Sequence, residues 1–215
     1  MTSDTHALIR PLRADAERNR ARVVVAAREV FAQHGLGVTL DDVARHAGVG
    51  VGTVYRRFPN KEALVSAVFD HVIAELINMI HGHVSNVDAW RGLTELITEI
   101  AERQSGDRGL YELCTKSDFG QMDRIAAHFT PAAEALVSRA QAEGSLRPDF
   151  STNDIGPMIL MIAAVSENTR QVDPDAWRRY LILLLDGLRA PGATPLPGHP
   201  LSHEELKDAM CCGEA

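Results

Sequence analysis

Cysteine is scarce in this chain of 215 residues, which has three and no Cys-x-x-Cys pair. Cys114 lies in a stretch of helical spacing, and Cys211 and Cys212 are neighbours near the end. Vicinal cysteines rarely form structural disulfides, so neither a disulfide framework nor a thiolate metal site is expected. Long hydrophobic runs are missing as well. The most apolar run near the end, Leu181 to Leu185, is flanked by Arg178, Arg179 and Asp186 and is far shorter than the roughly 20 residues that cross a bilayer. No apolar h-region follows the first basic residues. The chain is therefore expected in the cytoplasm, with no membrane partner. Sustained polar–apolar alternation is absent, which removes strands. So are a nucleophile elbow, a paired-carboxylate motif and a zinc-hydrolase helix, which removes the commonest hydrolases. Gly48-x-Gly50-x-Gly52 follows a helical stripe instead of a strand and has no Walker lysine, so it is no nucleotide loop. No cofactor is expected.

What remains is an ordinary globular composition, 45% hydrophobic and 24% charged. The net charge of −7 hides an asymmetry: residues 1–62 carry +3, and the rest −10. A basic head on an acidic body points to a local phosphate-binding surface.

Helical periodicity runs through nearly every segment. Val23, Ala27, Val30 and Phe31 stripe a first helix from about Asp15 to His34, ended by Gly35 and Gly37. Thr39 then precedes Leu40-Asp41-Asp42, an N-cap followed by acids that suit the positive end of a helix dipole. A third helix, about Val51 to Phe58, stops at Pro59, and Asn60 can cap a fourth that runs to about His81. The fourth is apolar on more than one face, as an element joining two bodies would be. Further helices are expected near 87–104, 107–116, 121–143, 152–170 and 174–189, with Pro131 kinking or breaking the third of them. Four prolines after residue 190 predict a linker, and Ser202 with Glu205 could cap a last short turn. The fold class is all-α: a flexible basic arm at 1–14, a small three-helix domain at 15–61, a larger C-terminal helical domain at 62–190, and a Pro-rich linker and tail at 191–215.

The sharpest signal is the stretch from Thr39 to Phe58: short helix, tight turn, short helix. Gly48 permits the positive φ the turn needs, and Val49 can plug the core between the helices. On the second helix Val54 and Phe58 point inward, while Thr53, Arg56 and Arg57 share the opposite face. A helix fits the major groove, where arginine can pair with guanine or bind phosphate. Tyr55 can offer its hydroxyl to a phosphate. Lys61 adds a cation beside free backbone N–H groups. The expected DNA-binding residues are Thr39, Val51, Gly52, Thr53, Tyr55, Arg56, Arg57 and Lys61, with Arg13, Arg18 and Arg20 on phosphates.

These residues resemble a known family. Val38-Thr39 through Ala44, Ala47-Gly48-Val49, Gly52-Thr53-Val54-Tyr55, Phe58-Pro59 and Lys61-Glu62-Ala63-Leu64 look like the TetR/AcrR DNA-binding domain, and Ala26-Ala27 to Phe31 with His34-Gly35 match its first helix. The likeness covers roughly residues 15–70. Gly50 departs from it, standing where a capping serine is common, as does Val51, where a polar residue is frequent. The resemblance implies a homodimer, a C-terminal ligand-binding domain, and effector binding that moves the fourth helix and disengages the readers.

In the C-terminal part, Trp90, Leu93, Ile97, Met122, Ile125, Phe129 and Met161 are candidates for lining a ligand pocket. Ile155, Met158, Ile159 and Ile162, with Trp177, Tyr180, Leu181, Leu184 and Leu188, form two stripes that suit either core or a twofold four-helix interface; interface is the expectation. His81 and His83 lack a third ligand at convincing spacing and read as a helix end, so no metal is expected. His128 and Glu112 could face a pocket, with a solvated or satisfied histidine the expectation. The sequence thus predicts a regulator, not an enzyme, that represses through a near-palindromic DNA operator in response to an unidentified small-molecule effector. The alternatives are an architectural DNA-binding protein without a ligand and, distantly, an all-α enzyme.

Overall fold

A computed structural model describes residues 5–116, 121–191, 194–202, 204–206 and 208, with side chains from residue 17 onward except 113–116, 121–123 and 125. Among the described residues the secondary structure is helical: α1 Thr5–His34, α2 Leu40–Ala47, α3 Val51–Arg57, α4 Lys61–Val84, α5 Ala89–Ser105, α6 Arg108–Lys116, α7 Gln121–Ala142, α8 Ile155–Thr169 and α9 Ala176–Gly187, with a 3₁₀ turn at Thr152–Asp154 ahead of α8. The only extended pairing described is an isolated antiparallel bridge between Leu146 and Arg189.

The chain divides into two compact units, Met1–Val72 with Arg108–Leu110, and Ile73–Asp107 with Tyr111–Ala215. The division thus falls inside α4, about eleven residues beyond the expected boundary at 61, because the first two turns of α4 bury Leu64, Val65, Val68 and Phe69 in the core of the first unit. α4 also runs on to Val84. Helix α1 begins at Thr5, ten residues earlier than its apolar stripe suggested, so residues 5–14 are helical and not an arm. Ala7, Leu8, Arg10, Leu12, Arg13 and Ala14 are strong helix formers, and Pro11 removes one backbone hydrogen bond without ending the helix.

The first unit is built on Val23, Ala27, Val30 and Phe31 of α1, Leu40, Val43 and Ala44 of α2, and Val54 and Phe58 of α3 and its cap, all buried. The first turn of α6 closes on it at Gly109, where an added Cβ would lie 2.8 Å from the carbonyl carbon, oxygen and Cβ of Phe31. Only glycine fits so close to another backbone.

In the second unit α5 packs against α7 and α8, and α8 against α9. Leu93, Leu96, Ile97, Leu136, Leu146, Ile155 and Ile162 are fully buried there. Helix α7 continues across Pro131 without a break. Arg139 of α7 ties the end of α4 down: its Nη1 donates to the Val84 carbonyl at 2.9 Å, and its Nη2 to those of Asn86 at 2.7 Å and Val87 at 3.1 Å. The Val84 carbonyl would otherwise be an orphan of the helix end. Beside it His83, expected on an exposed terminus with His81, is half-buried with Nε2 2.9 Å from a Glu99 oxygen, while His81 is exposed. That bond and Arg103 hold the Glu99 carboxyl below its ordinary range.

The described part of the tail is fastened down. The buried Arg147 donates to Asp149 at 2.6 Å, to the Gly187 carbonyl at 3.1 Å and to the Thr194 carbonyl; the Leu196 N–H donates to Asp149 at 2.9 Å. Ser202 and Glu205 cap each other as their spacing suggests. Leu206 lies against Gly156, where a Cβ would come within 3.0 Å of its Cδ2. Cys211 and Cys212, and the side chain of Cys114, lie outside the described residues.

The expected dimer stripes require a correction. Ile155, Met158, Ile159, Ile162, Trp177, Leu181 and Leu188 are all buried within the single chain, and Leu184 is half-buried. Side chains already enclosed by their own core have no surface to offer a second copy. The opposite faces of α8 and α9 carry open apolar side chains instead, on α9 among the exposed Arg178, Arg179 and Asp186: Met161 is 49% exposed, Tyr180 46%, and Ile182 and Leu183 58% each. Tyr180 alone of the expected set lies on this outer face. Met161, expected to line a pocket, lies there too.

Candidate nucleic-acid interface

The reader begins at a capping box. Thr39 Oγ1 accepts from the Asp42 N–H at 3.2 Å, and the Thr39 N–H donates to Asp42 Oδ2 at 3.0 Å. The Thr39 hydroxyl also donates to Asp42 Oδ2 at 2.6 Å. These bonds, with Arg45 3.2 Å away, hold the Asp42 carboxyl below its ordinary value. The turn follows from Gly48, at φ 64°, whose N–H returns to the last turn of α2 while Val49 donates to the Ala44 carbonyl at 3.1 Å. Arg22 of α1 donates to the Ala47 carbonyl at 3.0 Å, which fixes the end of α2 from a neighbouring helix. Sequence reading missed Arg22, because no local pattern links residues 25 apart.

Helix α3 starts at Gly50 with no side-chain cap, as the departure at that position implies. Val54 and Phe58 are buried, and Val51, Gly52, Tyr55, Arg56 and Arg57 are exposed, with Thr53 half-buried between them. One face of the short helix is therefore committed to the core, and the other presents two guanidinium groups, a hydroxyl, a phenol and a valine methyl surface. A Cβ at Gly52 would meet nothing within 4 Å. A bare glycine in a helix costs stability, yet here it leaves room for another surface to approach the backbone closely.

Two cations flank this face. Arg20 of α1 is exposed, with its guanidinium 5.6 Å from the ring centroid of Phe58. Lys61, half-buried, opens α4, whose start is capped by Asn60 Oδ1 accepting from the Ala63 N–H at 2.9 Å. Arg18 is exposed on α1. The side chain of Arg13 lies outside the described residues. Of the residues expected at the reader, Val51, Gly52, Thr53, Tyr55, Arg56 and Arg57 thus share one short helix, whose exposed face has the size and charge to enter a major groove.

Four of the expected pocket residues belong to the core of the second unit. Leu93 and Ile97 are fully buried core, Phe129 packs on that core, and Trp90 is covered by the Arg189 guanidinium 4.3 Å from its ring. The side chains of Met122 and Ile125 lie outside the described residues; His128 is exposed and Glu112 half-buried. No group of three or more His, Cys, Asp or Glu side chains among the described residues is placed to hold a metal ion.

Comparison with known proteins agrees with this geometry. The family described as bacterial regulatory proteins, tetR family, matches residues 23–68, and the C-terminal domain of SbtR-like transcriptional regulators matches residues 88–190. A TetR transcription regulatory protein from Mycobacterium vanbaalenii is 33% identical, with a TM-score of 0.59 over 84% of this chain and all of the other. The TetR regulator SCO0520 from Streptomyces coelicolor is 29% identical, with the same score over 80% of this chain and 99% of its own. The regulator Rv2250c of Mycobacterium tuberculosis is 28% identical over 149 residues, which span 66% of this chain and 76% of that one. With a helix-turn-helix whose outer face is free and basic, and with these relatives over most of its length, the chain belongs to the TetR family of DNA-binding transcriptional regulators.

Proposed function

We propose that this chain is a homodimeric repressor that binds a near-palindromic operator and is released by a small molecule. The observation that carries the DNA-reading part is the division of α3 into a buried face, Val54 with Phe58, and an exposed face carrying Thr53, Arg56 and Arg57. In this reading Thr53, Arg56, Arg57 and Val51 contact bases. Arg18, Arg20, Tyr55 and Lys61 hold phosphates, and Thr39 chiefly sets the start of α2. Gly52 lets the backbone of α3 lie close to the DNA.

Dimerisation through the outer faces of α8 and α9 is supported by the exposed Met161, Tyr180 and Leu183. Regulators of this family bind DNA and small-molecule effectors and act as dimers. A twofold dimer would set two α3 helices about 34 Å apart, one helical turn of DNA. Effector release then needs a ligand that prefers the non-binding arrangement. Helix α4, which continues from one unit into the other, is the natural element to carry that preference.

Selection of genomic fragments by the purified protein at moderate salt tests the reading. Enrichment of one palindrome with half-sites a helical turn apart is the expected result. Binding with a salt dependence but no sequence preference would replace it with the architectural reading.

A further inference from the structure

The second unit holds a group of hydrogen-bond donors that its own fold does not use. Four buried side-chain nitrogen or oxygen atoms among the described residues have no partner, and three belong to one short region: Gln104 Nε2, Ser105 Oγ and Arg170 Nε. Gln104 and Ser105 end α5, and Arg170 follows the last turn of α8. The two ends adjoin, since Ser166 Oγ of α8 donates to the Ser105 carbonyl at 3.4 Å. Gln104 is only 5% exposed. Leaving such a donor unpaired is costly, so it stays where something else offsets the loss.

The surroundings select the class of partner. Each orphan atom is an N–H or O–H able to donate, so the complement must accept. Two helix C-termini meet here, and their carbonyl ends carry partial negative charge, which disfavours an anion. The positive charge of Arg170 is already answered by Glu167, 2.5 Å from its Nη2, and that of Arg178 by Glu102 and Asp175. The adjacent turns carry apolar side chains, Ile100 and Ala101 on α5 and Ile162, Ala163 and Val165 on α8, beside the paired Glu99, Glu102, Arg103 and Glu167. Gly106, next along the chain, is exposed, and a Cβ on it would meet only the Glu102 carbonyl of its own helix, at 3.7 Å, so the loop side is open.

We infer that the last turns of α5 and α8 form an effector site in which Gln104, Ser105 and Arg170 donate to the carbonyl oxygen of a neutral, largely apolar molecule. This rests on the ligand-responsive reading above and names the chemistry of its ligand: a ketone, ester, lactone or amide in preference to a carboxylate or an amine.

The test uses the full chain with ¹⁵N-labelled glutamine side chains, the Gln104 resonances being assigned by their loss in Gln104→Leu. Linear 2-ketones from butanone to decanone are titrated beside carboxylates and alkylamines of equal length. A saturable shift of the Gln104 amide with at least one ketone, and none with its matched acid or amine, is expected. Gln104→Leu should weaken that ketone roughly three- to tenfold, the worth of a neutral hydrogen bond, and should melt no lower than the parent because it removes an unpaired donor. The inference is overturned if no ketone saturates, if the acids or amines bind equally, or if Gln104→Leu binds unchanged. Unfolding of that variant would overturn it as well, since it would show the amide already spent on the fold or on structural water. Repeating the titration on the operator-bound protein separates the two readings. A ketone that shifts Gln104 without loosening DNA supports the site and removes the effector-release reading.

Discussion

Thr39 and Asp42 satisfy each other across the first turn of α2, the backbone N–H of each bonded to the side-chain oxygen of the other at 3.0 and 3.2 Å. Reciprocal capping fixes where the reader begins. Thr39→Ala should cost about 1 kcal/mol of stability, as lost N-caps do, read as a lower urea midpoint with an unchanged slope.

The same pair gives a pH signature. The Asp42 carboxyl sits below its ordinary 3.8 in the folded chain because Thr39 bonds to its ionised form. Its contribution is present above 3.8 and is lost as pH falls through the lower folded value. Asp42→Asn should therefore flatten the loss of stability below about pH 4 and leave a smaller stability at neutral pH, measured by urea unfolding from pH 2 to 7.

Arg56 and Lys61 should fail differently. Arg56→Ala is expected to cost about 1–3 kcal/mol at the preferred operator and to relax preference at one base position. Lys61→Ala should weaken all sequences alike and reduce the salt slope by about one. Binding isotherms across a salt series on matched and mismatched duplexes distinguish them. Equal effects from both variants would remove the division into base and phosphate contacts.

Two glycines should respond oppositely to alanine. Gly52→Ala adds a methyl group to open space in α3, so the free protein should gain roughly 0.5–1 kcal/mol while operator affinity falls. Gly109→Ala drives a Cβ to 2.8 Å from the backbone of Phe31, and an overpacking cost of about 1–3 kcal/mol is expected. Thermal unfolding and DNA binding of both variants, measured side by side, check the contrast.

The faces of α8 and α9 predict which substitutions split a dimer. Leu183→Glu should halve the sedimentation mass and keep the helical circular dichroism, because Leu183 is 58% exposed. Ile162→Glu places a charge where the side chain is 1% exposed and should unfold the second unit instead. A dimer that survives Leu183→Glu together with Met161→Glu would move the interface elsewhere.

Much of the reader was legible because its signals are local. Gly48 at positive φ, the cap at Thr39, the stop at Pro59 and the inward pair Val54 and Phe58 are each decided within a few residues. The helix count was legible for the same reason. Pro131 does not break α7, because the weight of a single lost hydrogen bond depends on the helix around it, and α7 tolerates the loss.

The sequence by itself determined an all-α chain with a helix-turn-helix at residues 39–58, since short-range sterics and hydrogen bonding fix caps, turns and periodicity. Tertiary structure alone decided which apolar face is core. Leu181 to Leu185 is greasy nearly all round, and only packing against α8 buries Leu181 and leaves Ile182 and Leu183 open. Tertiary structure alone also sent Arg139 to carbonyls more than fifty residues away and left Gln104 Nε2 buried without a partner. Such contacts depend on the path of the whole chain, which no local pattern of residues encodes.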